Sequence, residues 1–395
     1  MSVITSLLDN DLYKFTMLQA ALHNFPEATG EYKLIVRSKG VDLRPYYKDI
    51  EREINHLCDL RFTKDELDYL ESIPFFKKDF IDYLEDLKLK TKGFDLALSA
   101  DRGCLKLRYS GSVIQKILFE VPLMAIISEV YLKDKTTKDQ AYSIGLKKLD
   151  RKIEKIKELN SKDPSNKVKF ADFGTRRRFS SDWHSSVVER LTDQLPSNFV
   201  GTSNLMLAKK YNLKPIGTMA HEWIQMGQGL GKTQLRNSQK YMFETWVKEY
   251  RGDLGIALTD TISSKAFLKD FDLYFSKLFD GCRHDSGCPY TWGDSIINHY
   301  LSYRIDPSTK TLVFSDGLDF DKMINLESYF KKRIKTSYGI GTNITNDVGV
   351  DPLSMVIKLV GVNGNPVAKI SDEPAKAICE DEDFLKYLKK VFDNV

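Results

Sequence analysis

Val168-Lys169-Phe170-Ala171-Asp172-Phe173-Gly174-Thr175-Arg176 decides the fold: a short apolar run stops at a glycine, and a guanidinium follows at once. A run of this length suits a strand buried on both faces, and Gly174 lets the backbone turn tightly out of it. The texture recurs at residues 198–200, 214–219, 255–258, 274–279, 311–314 and 336–340, and each run gives way to small or polar residues. Between most of them lies room for a helix, as at 181–194 and 237–250. Such alternation implies parallel pairing, because a parallel crossover needs a dozen or more residues. Seven runs with polar residues after them predict an α/β fold of the irregular barrel type over 161–350. A barrel gathers its chemistry from the C-terminal ends of many strands, whereas an open doubly wound sheet gathers it around one crevice.

Upstream the texture differs. Residues 1–160 read as a mixed α+β domain, with charged helix-like stretches at 63–89 and 133–160 and strand-like runs at 32–37 and 105–109. Within 133–160, Lys147, Lys148, Arg151, Lys152, Glu154, Lys155, Lys157 and Glu158 mix their signs as a solvated helix face does. The polar turn Ser161-Lys162-Asp163-Pro164-Ser165 marks the change of domain. Residues 351–395 form a C-terminal segment with strand-like stretches at 354–362 and 366–370 and a final helix, expected to pack back on the N-terminal domain.

The 59 basic and 55 acidic residues leave a net charge of +4, too balanced to call for nucleic acid or a membrane surface, though compatible with anionic substrates. Five cysteines without CxxC spacing argue against a disulfide framework or a zinc site and for a reducing compartment. Residues 1–10 lack the pattern of a signal peptide, and no stretch approaches the roughly 20 apolar residues of a membrane span. A cytoplasmic location is expected, with the nucleus a further compartment in a eukaryote. Asn343-Ile344-Thr345 is then a chance match to the glycosylation pattern.

The residues after each run are the chemically capable ones. In Phe173-Gly174-Thr175-Arg176-Arg177-Arg178 an aromatic ring can stack on a flat substrate while one Arg fork holds a carboxylate or phosphate. Gly201-Thr202-Ser203-Asn204 offers hydroxyls and backbone N–H donors, or simply a βα turn with a helix cap. His221, in Met219-Ala220-His221-Glu222-Trp223, is placed to attack a phosphoryl group or to move a proton. Gly281-Cys282-Arg283-His284-Asp285-Ser286-Gly287 combines a guanidinium, an imidazole and a carboxylate, which suits a polyanion carrying a divalent cation and ribose hydroxyls. Ser315-Asp316-Gly317 and the Gly339-Ile340-Gly341-Thr342 stretch allow close approach of backbone to phosphate, but lack the Lys-Ser or Lys-Thr of a P-loop.

In this order, and with Asp11-Leu12-Tyr13-Lys14-Phe15-Thr16-Met17 at the start, the segments resemble the nicotinate phosphoribosyltransferase family from Asp11 to about Asn346. The resemblance implies that family's reaction: nicotinate and phosphoribosyl pyrophosphate give nicotinate mononucleotide and pyrophosphate, with ATP hydrolysed alongside in NAD salvage. It implies an aromatic pair, Tyr13 and Phe173, around the pyridine ring, and Arg176 on its carboxylate, with Thr202 and Ser203 helping at that end. Arg283, Asp285 and Asp260 fall to the sugar donor or its Mg²⁺, and Asp316, Gly317, Gly339, Gly341 and Thr342 to its 5′-phosphate. His221 matches the histidine that is transiently phosphorylated; metal ligands stay unassigned. The related nicotinamide enzyme carries Asp where Ser203 stands, and a serine neither repels nicotinate nor lacks a donor for it, so nicotinate is the expected base.

Two other readings compete. A quinolinate or nucleobase phosphoribosyltransferase is one, through Leu258-Thr259-Asp260-Thr261, although the second adjacent acid of the nucleobase enzymes is missing. A non-catalytic nucleotide-binding protein on the same fold is the other, and Arg176, His221 and Asp285 speak against it. The expected partners are the three small molecules, with the chain a monomer or a homodimer.

Overall fold

A computed structural model describes residues 2–98, 105–164, 167–373 and 376–393 of the chain. The N-terminal part contributes β1 (Thr29–Val36), β2 (Phe94–Leu98) and β3 (Leu105–Ser112). The central part supplies β4 (Phe170–Asp172), β5 (Phe199–Thr202), β6 (Arg251–Leu254), β7 (Ile256–Leu258), β8 (Gly281–His284), β9 (Thr311–Phe314) and β10 (Lys335–Ile340). The C-terminal part adds β11 (Met355–Val362) and β12 (Asn365–Pro366). Apart from β6, they form two sheets: an antiparallel one in the order β12-β11-β1-β3-β2, and a parallel one in the order β5-β4-β10-β9-β8-β7. The chain is thus α/β, with helices such as Ser181–Gln194 and Ser238–Tyr250 returning it between parallel strands.

The parallel ladder does not close. Residues 214–219, expected to be a strand, form only a bridge from Pro215 to Thr202, because a proline cannot donate to a ladder. The segment still lies between the two sheet edges: the Ile216 N–H donates to the Thr202 carbonyl at 2.9 Å, and the Thr218 hydroxyl to the Ile256 carbonyl at 3.0 Å. A second difference concerns 274–279, which is the helix Leu273–Leu278, capped by Asp272 accepting from the N–H groups of Tyr274 and Phe275. Phe271, Phe275 and Phe279 recur every four residues and all meet Phe243, with ring centroids 5.8–6.3 Å apart. The strand comes later, at β8, where a side chain on Gly281 would meet the Thr311 carbonyl oxygen at 1.9 Å.

The antiparallel sheet is completed from the far end of the sequence, with β11 paired to β1 from Gly30↔Val362 to Val36↔Met355. The helix Glu382–Val391 takes a different side. Leu388 and Phe392 pack with Ile262 and Ala266, which follow β7 of the parallel sheet, and with Ala368 and Ile370 of the C-terminal segment itself. One large core runs through both sheets. Among the described residues no helix is long and apolar enough to cross a membrane, and Cys58, Cys282, Cys288 and Cys379 are free thiols; Cys104 lies outside the described residues.

Candidate active site

A cavity of about 560 Å³ lies at the C-terminal ends of the parallel strands, roofed by β1 and β11 of the other sheet. It gathers Tyr13, Phe173, Arg176, Ser203, His221, Arg283, Asp285, Gly317, Gly341 and Thr342 along one wall or another. Four expected residues do not line it. Thr202 is buried and donates to Asp172 at 2.6 Å, so its hydroxyl serves the turn and not a ligand. Gly339 lies beneath Phe173, whose ring stands where any side chain at 339 would go. Asp316 is paired with Lys376 at 2.7 Å. Asp260 sits behind His221.

His221 opens the helix His221–Gly229, and its ring Nε2 meets Asp260 Oδ1 at 2.8 Å and Asp285 Oδ2 at 3.6 Å. Burial, then the nearby Lys369 charge, push the His221 pKa down to about 4 despite the two acids. Burial tends to raise the Asp260 pKa, but His221, Lys369 at 3.0 Å and Ser286 at 2.6 Å outweigh it and keep the carboxylate ionised. An ionised acceptor on Nε2 requires that nitrogen to carry the proton, which leaves Nδ1 with the lone pair. No described residue hydrogen-bonds to Nδ1. Oxygen and nitrogen atoms of His221, Asp260 and Asp285 lie within 4.8 Å of one another, close enough to share a cation.

The three arginines after Gly174 and Thr175 separate. Arg178 is fully buried, with both terminal nitrogens on Asp9 at 2.6 and 2.7 Å and its Nε on Glu129 at 2.7 Å. It therefore holds the loop and is out of reach of a ligand. Arg176 lines the cavity, 5.9 Å from the Tyr13 ring centroid and 3.5 Å from Glu120, without a bidentate partner. Arg177 also lines it, and burial beside Arg176 and Arg37 lowers its pKa to about 10. Arg178→Met should destabilise the fold by about 3–5 kcal/mol, because two buried acids lose their counter-charge. Urea unfolding measures this, and a loss under ~1 kcal/mol would contradict the structural role.

Beside Arg176, the Ser203 hydroxyl donates to Asp11 Oδ1 at 2.7 Å. Asp11 also lines the cavity. Burial raises its pKa, while Arg176, Ser203 and Thr175 pull the other way. The Tyr13 hydroxyl is buried without a hydrogen-bond partner. Beneath lies an ion cluster in which the fully buried Lys14 ammonium touches both Glu120 and Glu222, and the Tyr32 hydroxyl donates to Glu222 at 2.7 Å. Glu222 follows His221, so this cluster fixes the start of the histidine helix against β1 and the helix Leu12–Asn24.

Sequence reasoning missed Lys358 and Lys369. Both belong to stretches read as ordinary strands, yet Lys358 on β11 points a side chain into the cavity. Burial, reinforced by Lys369, lowers its pKa to about 8, although Glu120 and Asp285 favour its charge. Asp11, Lys14, Glu120 and Glu222 were missed too. Asp11 and Lys14 carried a signal as neighbours of Tyr13, and Glu222 as the neighbour of His221; Glu120 carried none.

The nicotinate phosphoribosyltransferase (NAPRTase) family model matches residues 168–395, and that family's N-terminal domain model matches residues 8–128. A curated nicotinate phosphoribosyltransferase of Burkholderia ambifaria is 51% identical over 99% of this chain and 97% of its own length. The crystal structure of nicotinate phosphoribosyltransferase from Vibrio cholerae superposes with a TM-score of 0.94 at 41% identity, covering 99% of this chain and 94% of that one. The corresponding structure from Porphyromonas gingivalis gives 0.91 at 32% identity, covering 98% and 100%. With both halves matched, and with most of the residues that carried the resemblance gathered around one cavity, the chain belongs to the nicotinate phosphoribosyltransferase family.

Proposed function

We propose that this cavity joins nicotinate to the ribose of phosphoribosyl pyrophosphate, releasing pyrophosphate, and that ATP drives the cycle through a phosphate carried transiently by His221 in NAD salvage. The observation that supports this best is that one cavity is lined by two sets of groups: Tyr13, Phe173 and Arg176, and His221 with Asp285, the histidine backed by Asp260. The first suits a flat anionic ring and the second a phosphoryl group. Pyrophosphate release from nicotinate and the sugar donor tests the reading. Silence with nicotinate, or turnover of quinolinate with loss of CO₂, would refute it.

In the transfer step the pyridine nitrogen bonds to the anomeric carbon as the bond from that carbon to the pyrophosphate oxygen breaks. The protein aligns the two reactants, which can supply roughly 7–11 kcal/mol. Arg283 and Lys358, which line the cavity, are the groups for the departing charge. In the coupling step the Nδ1 lone pair attacks the γ-phosphorus, the bond to ADP breaks, and Asp260 holds the ring through Nε2–H. Water later cleaves the P–N bond. Asp285 and Asp260 offer oxygens that fit a hard divalent cation such as Mg²⁺, with Asp285 the freer of the two because Lys369 and Ser286 already engage Asp260. Such an ion supplies positive charge to the phosphates. Tyr13 and Phe173 of a single chain line the same cavity, so we propose a site complete within one chain, whether monomer or homodimer, working in the cytoplasm.

Lys358 gives this reading a pH signature. Its pKa of about 8 means that the ammonium is present below that pH and lost above it. Affinity for the anionic sugar donor should fall as pH rises from 7.5 to 9. Because a bound anion favours the charged form, binding at pH 8 should take up protons, seen as a buffer-dependent heat in calorimetry. Lys358→Met should remove the proton uptake; uptake that survives the substitution would contradict the assignment.

A further inference from the structure

Ser203 stands at the base end of the cavity, where a single hydroxyl has one proton to give. That proton lies on Asp11 Oδ1 at 2.7 Å, so Ser203 cannot at the same time donate to a substrate carboxylate. The pocket already contains what a nicotinamide site would use: an acid, 2% exposed, lining the cavity beside Arg176. Left bare, Asp11 would accept from an amide NH₂ and repel a carboxylate. Ser203 covers one of its oxygens, and the Arg176 charge offsets it.

We propose that Asp11 is the specificity-determining acid of this pocket, and that Ser203 is a positioning residue that selects nicotinate by masking Asp11. The inference rests on the nicotinate reading and deepens it. The pair is well placed for the task. Asp11 precedes Tyr13 at the mouth of the helix Leu12–Asn24, the Leu12 N–H donates to the Ser203 carbonyl at 2.8 Å, and Asp11 forms a backbone bridge with Asn204. Two segments 192 residues apart in sequence are locked together at the point where the ring's substituent would sit.

The test is a double-mutant cycle read as the ratio of kcat/KM for nicotinate over nicotinamide. Ser203→Ala should lower that ratio by about 100-fold, a tenfold loss on one base and a tenfold gain on the other. In an Asp11→Asn background, the same Ser203→Ala change should move the ratio by less than about 3-fold. Ser203→Thr, which keeps the hydroxyl, should hold the wild-type ratio. An equal shift with and without Asp11 would show that Ser203 reads the base itself, and no shift in either background would show that it reads nothing. Both overturn the inference. If Asp11→Asn fails to fold, a structure of the wild-type protein with nicotinate decides. Ser203 Oγ on Asp11 and out of hydrogen-bond reach of the base supports the proposal; Ser203 Oγ on the nicotinate carboxylate ends it. A wild-type protein inactive with nicotinate would instead overturn the functional reading.

Discussion

Arg176→Ala is expected to lower kcat/KM for nicotinate by about 10²–10³-fold, almost entirely through KM, because a charged donor to a bound carboxylate is lost. Its geometry supports the size of the effect. Arg176 keeps only a loose contact with Glu120 at 3.5 Å, so its fork is free for a planar anion. Arg176→Lys should recover little, since a point charge cannot reproduce two parallel N–H donors. Steady-state kinetics with nicotinate checks both, and a loss below about 5-fold for alanine would move the carboxylate partner to Arg177. Arg178 is not a rival, because Asp9 and Glu129 engage all sides of its guanidinium.

His221→Asn should abolish ATP-linked turnover while leaving some uncoupled transfer. Asparagine keeps a polar side chain of similar reach but has no ring nitrogen with a lone pair for phosphorus. The burial that keeps His221 neutral is what makes Nδ1 available near neutral pH. Asp260→Asn should weaken coupling less, because it loosens the ring's orientation without removing the nucleophile. ADP formed per nicotinate mononucleotide is the quantity to measure. A ratio unchanged in His221→Asn would exclude the phosphohistidine.

Local patterns were legible in the sequence, and long-range pairing was not. The run ending at Gly174 and the polar residues after it are visible because a parallel α/β sheet puts its strands and its chemistry in a repeated local order. His221, Arg283 and Asp285 could be named from that order alone. The helix Leu273–Leu278 reads as a strand because a short apolar run has no decisive period, and residues 214–219 read as one although Pro215 cannot donate to a ladder. Which arginine faces the cavity depends on Asp9 and Glu129, each far from 178 in sequence. Lys358 looks like the odd charge on a surface strand until β11 is paired with β1, and Lys369 until its segment brings it to Asp260. Likewise the Ser203 hydroxyl looked free for a ligand until the chain brought Asp11 to it.

The most direct measurement combines product and intermediate in one reaction. The protein is mixed with nicotinate, phosphoribosyl pyrophosphate, Mg²⁺ and γ-labelled ATP, quenched in base to preserve a P–N bond, and its peptides are sequenced by mass spectrometry. Coupling through His221 predicts nicotinate mononucleotide and pyrophosphate in equal amounts, with an acid-labile phosphate on the peptide that carries His221. Product formed with no label at His221, or label on any other residue, would contradict it.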